Sequence, residues 1–191
     1  MSTTPLFKVF MSQDAIEPVN NVLMSGNLTQ GSQVEKYENV LSEYLGNSRV
    51  LSLNSATAGL TLALKMCDCG PDDVVLTPAL TCFATTSAIL ANNLKLRWID
   101  VDPKTSNVDL ADLKSKLSPK TKVIMVVHWG GNPVDLEGLR DLQDYSLEKF
   151  GFRPQIIEDC AHAFGAEYGG KKIGNHGNIC VFSTQAIKLL T

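Results

Sequence analysis

The 191-residue sequence lacks any apolar run long enough to form a membrane-spanning helix. Residues 1–8 also lack the basic region and apolar core of a secretory signal peptide. There is no block of lysines and arginines, and the formal net charge is only −3, which argues against electrostatic binding to nucleic acid or to an anionic membrane. We therefore expect a cytoplasmic protein whose partners are small molecules.

Cysteine is too scarce and too scattered for a disulfide framework. The five cysteines are odd in number and lie in apolar segments, which is typical of reduced, mostly buried thiols: Cys67, Cys69, Cys82, Cys160 and Cys180. Cys67 and Cys69 are close in sequence, but no second ligand pair follows at zinc-site spacing. The sequence predicts no metal site.

What the sequence does contain is a regular alternation of strand and helix patterns. With 44% hydrophobic residues, the chain can bury one good core, and its length predicts one domain. Short apolar strands are predicted at residues 50–53, 74–76, 94–99, 123–127, 155–157 and 179–182. Helices are predicted from Ser12 to Gly26 and at residues 34–45, 57–66, 82–91, 110–117 and 136–150. The sequence therefore predicts an α/β fold with a mostly parallel sheet flanked by helices.

Lys188 and Asp159 each follow one of the predicted apolar strands. A lysine amine can hold an aldehyde cofactor as a Schiff base, and a carboxylate can keep a pyridine nitrogen protonated. Ligands of open α/β sheets bind at the carboxyl ends of the strands, where both residues are expected. This pair indicates pyridoxal phosphate (PLP) chemistry. A lone lysine is more often a solvated surface residue, and an aspartate here could instead cap a helix or bind a metal.

Small and hydroxyl residues open the predicted helix 57–66. The backbone amides there could bind a phosphate, helped by Ser55 and Thr57, although the same pattern also suits a plain helix cap. Ser183 comes five residues before Lys188 and could bind the same phosphate. Taken together, these residues form one coherent candidate pocket.

Two ring-bearing side chains complete the candidate pocket. Phe83 could stack on a planar cofactor, but a phenylalanine at a helix start is more often part of the core. His162 could contact the ring, whereas a lone histidine is usually structural. Both roles stay open at this point.

Several motifs resemble the DegT/StrS-like sugar aminotransferases, which are PLP-dependent enzymes of fold type I. The two most specific blocks are residues 158–166 (EDCAHAFGA), which match EDxAHAxGA, and residues 182–191 (FSTQAIKLLT). The others are 25–31 (SGNLTQG), 54–58 (NSATA), 78–81 (PALT), 99–103 (IDVDP) and 128–133 (HWGGNP). In one departure, many members have an aromatic residue directly after Thr81, where this chain has Cys82 and places Phe83 one position later.

The resemblance implies a role for each candidate residue. Lys188 would bind PLP covalently and shuttle the proton, Asp159 would face the pyridine nitrogen, and His162 would lie near the ring. The phosphate would be held by Ala56, Thr57 and Ser183. The implied reaction transfers an amino group, from glutamate, to a nucleotide-linked keto-sugar for cell-surface polysaccharide synthesis.

The resemblance also sets expectations for the chain as a whole. Family members continue well past the lysine, so residues 1–191 are expected to be an incomplete, truncated large domain that associates as a homodimer. One alternative is a PLP-binding fragment without turnover. Others are a sugar dehydratase of the same family, which normally has histidine in place of Lys188, and an α/β module without a cofactor.

Overall fold

Among the described residues, five parallel strands form the main sheet of the computed structural model, in the spatial order 95–99, 74–78, 121–127, 155–159 and 179–181. The structure describes residues 3–5 and 7–190. The strands are β1 (Val74–Pro78), β2 (Lys95–Ile99), β3 (Thr121–Val127), β4 (Gln155–Asp159), β5 (Glu167–Tyr168), β6 (Lys171–Lys172) and β7 (Ile179–Val181). β5 and β6 pair separately as an antiparallel hairpin. The predicted parallel α/β sheet is confirmed. The β5–β6 hairpin, called the ribbon below, lies in the glycine-rich segment 160–178 that follows β4.

In the described part of the chain, six α-helices accompany the strands: α1 (Ile16–Ser25), α2 (Ser32–Leu45), α3 (Ala56–Met66), α4 (Phe83–Ala91), α5 (Leu110–Lys116) and α6 (Leu136–Phe150). Their ends follow ordinary capping chemistry. Asp109 accepts from two amides at the start of α5, and Asp135 accepts from the amide of Gly138 at the start of α6. As predicted, Ser12 caps a first turn, and Gly26 ends α1 in the left-handed conformation with φ of 69°.

The chain divides into two compact units. The first contains α1, α2 and the segment from Thr184 onwards, and the second runs from Leu53 to Ser183. Thr191, the last residue of the FSTQAIKLLT block, and residues 1, 2 and 6 of the N-terminal segment lie outside the described residues. Within the described part of the chain, no helix has the length and apolar character needed to cross a membrane.

The second unit buries its core on both faces of the sheet. α5 and α6 cover one face, where Leu76, Ile124 and Leu139 pack with the other members of the cluster. α3 and α4 cover the opposite face, where Leu60, Leu64 and Ile157 are central. Strands buried on both faces explain the near-continuous apolar runs of the sequence.

The predicted strand at residues 50–53 is wrong, because these residues form no strand in the described structure. Leu51 is 64% exposed and Leu53 46% exposed, so their apolar side chains lack the cover that a buried strand needs. Ser52 instead donates through its amide and its hydroxyl to the carboxylate of Glu38 on α2, at 2.6 and 2.7 Å. These two hydrogen bonds hold the pKa of Glu38 below its ordinary value.

Gly59 allows α3 to approach β7 closely. A Cβ atom at this position would lie 2.8 Å from Cγ1 of Val181, which is closer than side-chain carbons pack. Gly59→Ala should therefore lower the free energy of unfolding by about 1–3 kcal/mol, because the clash outweighs the gain in helix propensity of about 1 kcal/mol. Urea denaturation measures the change.

The control for this prediction removes the clashing methyl groups. In a Val181→Ala background, Gly59→Ala should be neutral or stabilising, since only the helix propensity then changes. Stabilisation of the wild-type background by Gly59→Ala would show that the close approach is not required.

Candidate active site

The carboxyl ends of the parallel strands bring most of the predicted site residues to one edge of the second unit. Asp159 is the last residue of β4, Ser183 follows β7 by two residues, and Phe83 begins the helix that follows β1. α3 starts at the same edge, because Gly59 near its start faces Val181 at the end of β7. The strand order reverses between β1 and β3, the position where open α/β sheets form ligand crevices.

The carboxylate of Asp159 is buried and firmly held. The residue is 5% exposed. Its Oδ2 atom accepts a hydrogen bond from Thr85 Oγ1 at 2.7 Å, and its Oδ1 atom accepts one from the amide of Ala161 at 3.1 Å. Its carbonyl oxygen accepts from the amide of His128 at 3.2 Å. A buried carboxylate with a fixed orientation is suited to pairing with a cationic group of a ligand.

The start of α3 presents backbone amides. Ser55 caps the helix by accepting a hydrogen bond from the amide of Ala58 at 3.1 Å, as expected if this segment is a helix cap. Among the described residues, the amides of Ala56 and Thr57 donate to no protein group. Two such amides at the positive end of a helix dipole form an anion-binding arrangement, so the capping and phosphate interpretations are compatible.

The two predicted ring contacts lie in different surroundings. Phe83 is 72% exposed at the first residue of α4, so it is not a core residue, and Cys82 before it is also exposed. His162 packs edge-on against Trp129 with 5.6 Å between ring centroids. The backbone is tight here, because a Cβ on Gly131, where φ is 85°, would meet the carbonyl oxygen of His162 at 2.8 Å. The stacking and ring-contact roles stay predictions.

Lys188 belongs to the first unit, whereas the other candidate residues belong to the second. Its side chain is half-buried, and its amide donates to the carbonyl oxygen of Gln185 at 2.7 Å, which closes a turn rather than a strand end. The amide of Ile187 donates to the side chain of Gln185 at 3.1 Å and supports the same turn. The pairing of Lys188 with Asp159 stays a prediction.

A buried polar network lies on the opposite face of β4 from Asp159. His128 Nε2 is 2.7 Å from Glu158 Oε2, and both side chains are fully buried. The Nδ1 atom of His128 accepts from the amide of Val134 at 2.9 Å, so Nε2 carries the ring proton and donates it to Glu158. Asn178 donates to the other Glu158 oxygen at 2.6 Å. Burial alone raises the pKa of Glu158, but the hydrogen bonds from His128 and Asn178 outweigh it and leave that pKa below its ordinary value.

Two cysteines, Cys160 and Cys69, are relevant to metal binding. Cys160 lies beside His128 and Glu158, with the three possible ligand atoms within 4.8 Å. However, burial raises the pKa of the Cys160 thiol well above its usual range, and the His128 and Glu158 atoms already bond each other. Burial also raises the pKa of Cys69 to about 11. In this structure the His128, Glu158 and Cys160 side chains make hydrogen bonds within the protein.

Residues 10–191 match the DegT/DnrJ/EryC1/StrS aminotransferase family, and the chain belongs to this family. Among curated relatives, it is 36% identical to an uncharacterized protein of Methanocaldococcus jannaschii over 100% of this chain and 48% of that protein. It is 35% identical to a UDP-4-amino-4-deoxy-L-arabinose–oxoglutarate aminotransferase of Shewanella sediminis over 98% of this chain and 46% of the relative. The chain spans about half the length of the curated relatives it matches.

Solved structures give the same family and fold. The sugar aminotransferase CalS13 from Micromonospora echinospora superposes with a TM-score of 0.94 at 50% identity, over 98% of this chain and 51% of that chain. The PLP form of Spr1654 from Streptococcus pneumoniae, whose assignment as a sugar aminotransferase is provisional, superposes with a TM-score of 0.93 at 30% identity. The match covers 100% of this chain and 51% of that chain. The resemblance inferred from the motifs is confirmed.

The site contains functional contacts that the sequence did not single out. Thr85 holds Asp159 from a position 74 residues earlier in the chain, and no local pattern marks a hydroxyl for such a contact. Glu158 and His128 lie inside quoted motifs, but their partnership appears only when β3 and β4 pair in register. The one indication of this contact in the sequence is that His128 directly follows one apolar strand and Glu158 lies near the end of another.

Glu158→Gln should lower the free energy of unfolding at neutral pH by about 1.5–3 kcal/mol, because the buried network loses a hydrogen bond to a charged group. The folded-state pKa of Glu158 lies below its unfolded value near 4.5. The stabilisation is therefore complete above that pH and is lost as the pH falls through the folded-state pKa. Denaturation of both proteins between pH 3 and 7 should show the difference shrinking in acid.

The matched control is Glu167→Gln, which changes an exposed carboxylate 3.9 Å from Lys172. Its effect should be small at every pH, because exposed ion pairs contribute little. A Glu158→Gln difference that grew in acid would contradict the ionised network.

Proposed function

We propose that this chain supplies the cofactor site of a PLP-dependent aminotransferase that moves an amino group from glutamate to a nucleotide-linked keto-sugar. The observation that carries the proposal is the buried Asp159 carboxylate, held by two donors at the ligand-binding edge of a parallel sheet. PLP is the expected cofactor, because the chain belongs to an aminotransferase family and Spr1654 has both PLP and pyridoxamine phosphate (PMP) forms.

The donor set fits PLP at both ends. The unpartnered amides of Ala56 and Thr57 suit a phosphate, and the hydroxyls of Ser55, Thr57 and Ser183 supply further donors near that edge. Asp159 suits the cationic ring nitrogen, with His162 and Phe83 as the candidate ring contacts. PLP supplies an aldehyde that accepts an amine and a protonated ring that takes up electrons.

Asp159 and Lys188 would have different roles, because their side chains differ in charge. Asp159 would hold the proton on the ring nitrogen through its negative charge. Lys188 would hold the cofactor through its amine and, when that amine is free, take and return a proton at Nζ. Asp159 is buried on the face of the sheet that α3 and α4 cover. Burial would keep water from weakening the attraction between its carboxylate and the ring nitrogen.

Support for the substrates comes from the named relatives. CalS13 is a sugar aminotransferase, and the Shewanella relative is named for a UDP-linked amino sugar and oxoglutarate. Oxoglutarate is the keto acid that glutamate becomes when it gives up its amino group, which favours glutamate as donor. We further propose a cytoplasmic homodimer in cell-surface polysaccharide synthesis, with residues 1–191 in its large domain. Lys188 disfavours the dehydratase alternative.

Borohydride treatment of the PLP-loaded protein should fix the cofactor to Lys188, because reduction makes the lysine link permanent. Peptide mapping by mass spectrometry locates the label. Lys188→Arg should carry no label while remaining folded, and Lys172→Arg, which changes an ion-paired lysine of the ribbon, should label as the wild type does. A label on another lysine would remove Lys188 from the site.

Asp159→Asn and Thr57→Ala should affect different measurements. An amide cannot hold the ring proton by charge, so Asp159→Asn should slow a single turnover with glutamate more than it weakens PLP binding. Thr57→Ala should instead weaken PLP binding by about 1–3 kcal/mol, as expected for a hydrogen bond to a charged phosphate. PLP titration and stopped-flow absorbance separate the two. Full single-turnover rates in Asp159→Asn would contradict its assigned role.

A further inference from the structure

Thr85 is a fully buried threonine on α4 whose hydroxyl leaves its own helix. Other hydroxyls on these helices bond back to a carbonyl three or four residues earlier, as in Thr61 to Thr57 and Thr86 to Phe83. Thr85 Oγ1 instead donates to Oδ2 of Asp159 at 2.7 Å. The hydroxyl is therefore committed to the site carboxylate and not to the helix backbone.

A second threonine supports this hydrogen bond. Thr81 Oγ1 is 2.6 Å from Thr85 Oγ1. Because Thr85 has a single hydroxyl proton and donates it to Asp159, Thr81 must be the donor in this pair. The two hydroxyls form a chain that runs in one direction, from Thr81 through Thr85 to the carboxylate, and such chains strengthen their members cooperatively.

The carboxylate needs this support to keep one orientation. The terminal torsion of an aspartate side chain is soft, so the packing of Asp159 alone leaves its plane free to turn. Thr85 binds one oxygen from α4, and the amide of Ala161 binds the other from the turn after β4. Two donors from different elements fix the plane, and the loss of either would leave the plane free to turn.

We propose that Thr85, backed by Thr81, is a positioning residue that orients the Asp159 carboxylate toward the ring nitrogen of the cofactor. The inference rests on the proposed function, since it assigns Thr85 a role in PLP binding that acts through Asp159. Thr85 itself need not touch the cofactor. Its effect should therefore depend on the presence of the Asp159 side chain.

The test compares Thr85→Val with Thr85→Ser, Thr86→Val and wild type, each with and without Asp159→Ala. Valine keeps the shape of threonine and removes the hydroxyl, while serine keeps the hydroxyl. Thr86 is the matched control, because it is buried on the same helix but bonds only its own backbone. PLP titration gives the dissociation constant, and the visible circular dichroism of the saturated protein reports the orientation of the bound ring.

Thr85→Val should raise the PLP dissociation constant about tenfold, because a misoriented carboxylate would lose about one hydrogen bond's worth of interaction with the ring nitrogen, and should reduce the visible circular dichroism at saturation. Thr85→Ser should restore both, and Thr86→Val should change neither. In the Asp159→Ala background, Thr85→Val should have no further effect on affinity. Thr81→Val should cause a smaller loss in the same direction, which provides a second variant if Thr85→Val folds poorly.

Two results would overturn the inference while PLP still binds to wild type. One is an equal loss from Thr85→Val in both backgrounds, which would mean that the hydroxyl acts independently of Asp159. The other is an equal loss from Thr86→Val, which would indicate a general effect on α4. An unchanged affinity in Thr81→Val would remove Thr81 from the chain. A wild-type protein that binds no PLP would instead overturn the proposed function.

Discussion

The burial of the Asp159 carboxylate is the constraint on which the rest of the candidate site depends. A carboxylate removed from water is costly unless donors and an opposite charge compensate it. Here the donors come from α4 and from the turn after β4. In the proposed function the cofactor would supply the opposite charge, at the edge where parallel sheets bind ligands.

The adjacent acids of β4 show how a strand assigns different functions to neighbouring residues. Side chains of a strand alternate between faces, so Glu158 and Asp159 point into different layers. Glu158 meets His128 and Asn178 and is fully used by protein donors. Asp159 meets a single side-chain donor and one amide. One acidic side chain of β4 is therefore hydrogen-bonded within the protein on one face, and the other is the proposed cofactor partner on the opposite face.

The sequence predicted the sheet well, because apolar runs buried on both faces leave a simple pattern. β1 to β4 and β7 all occur at their predicted places, and α6 has its predicted bounds. The prediction of a strand at residues 50–53 was wrong. An apolar run in a sequence favours burial, but it does not show whether a neighbouring strand is available to pair with it. Ser52 instead donates a hydrogen bond to Glu38, a contact that hydrophobic periodicity does not predict.

The candidate site was predictable where chemistry and motif coincide in one segment. Asp159 and the start of α3 could be found in this way, since each is defined by a strand end and a few adjacent residues. Thr85 could not, because its role depends on α4 packing against β4 across 74 residues of sequence. Long-range hydrogen bonds of ordinary threonines leave no local pattern.

The two ends of the site are built by different physical means, and this explains their residue types. The proposed phosphate end would use backbone amides, which requires a helix start with small side chains, and Gly59 lets that helix lie against β7. The proposed ring end would use a single side-chain charge, that of Asp159, which requires burial and orienting donors. At the proposed phosphate end the backbone would supply part of the binding whatever side chain is present, whereas the proposed ring end would depend on the charge of one side chain.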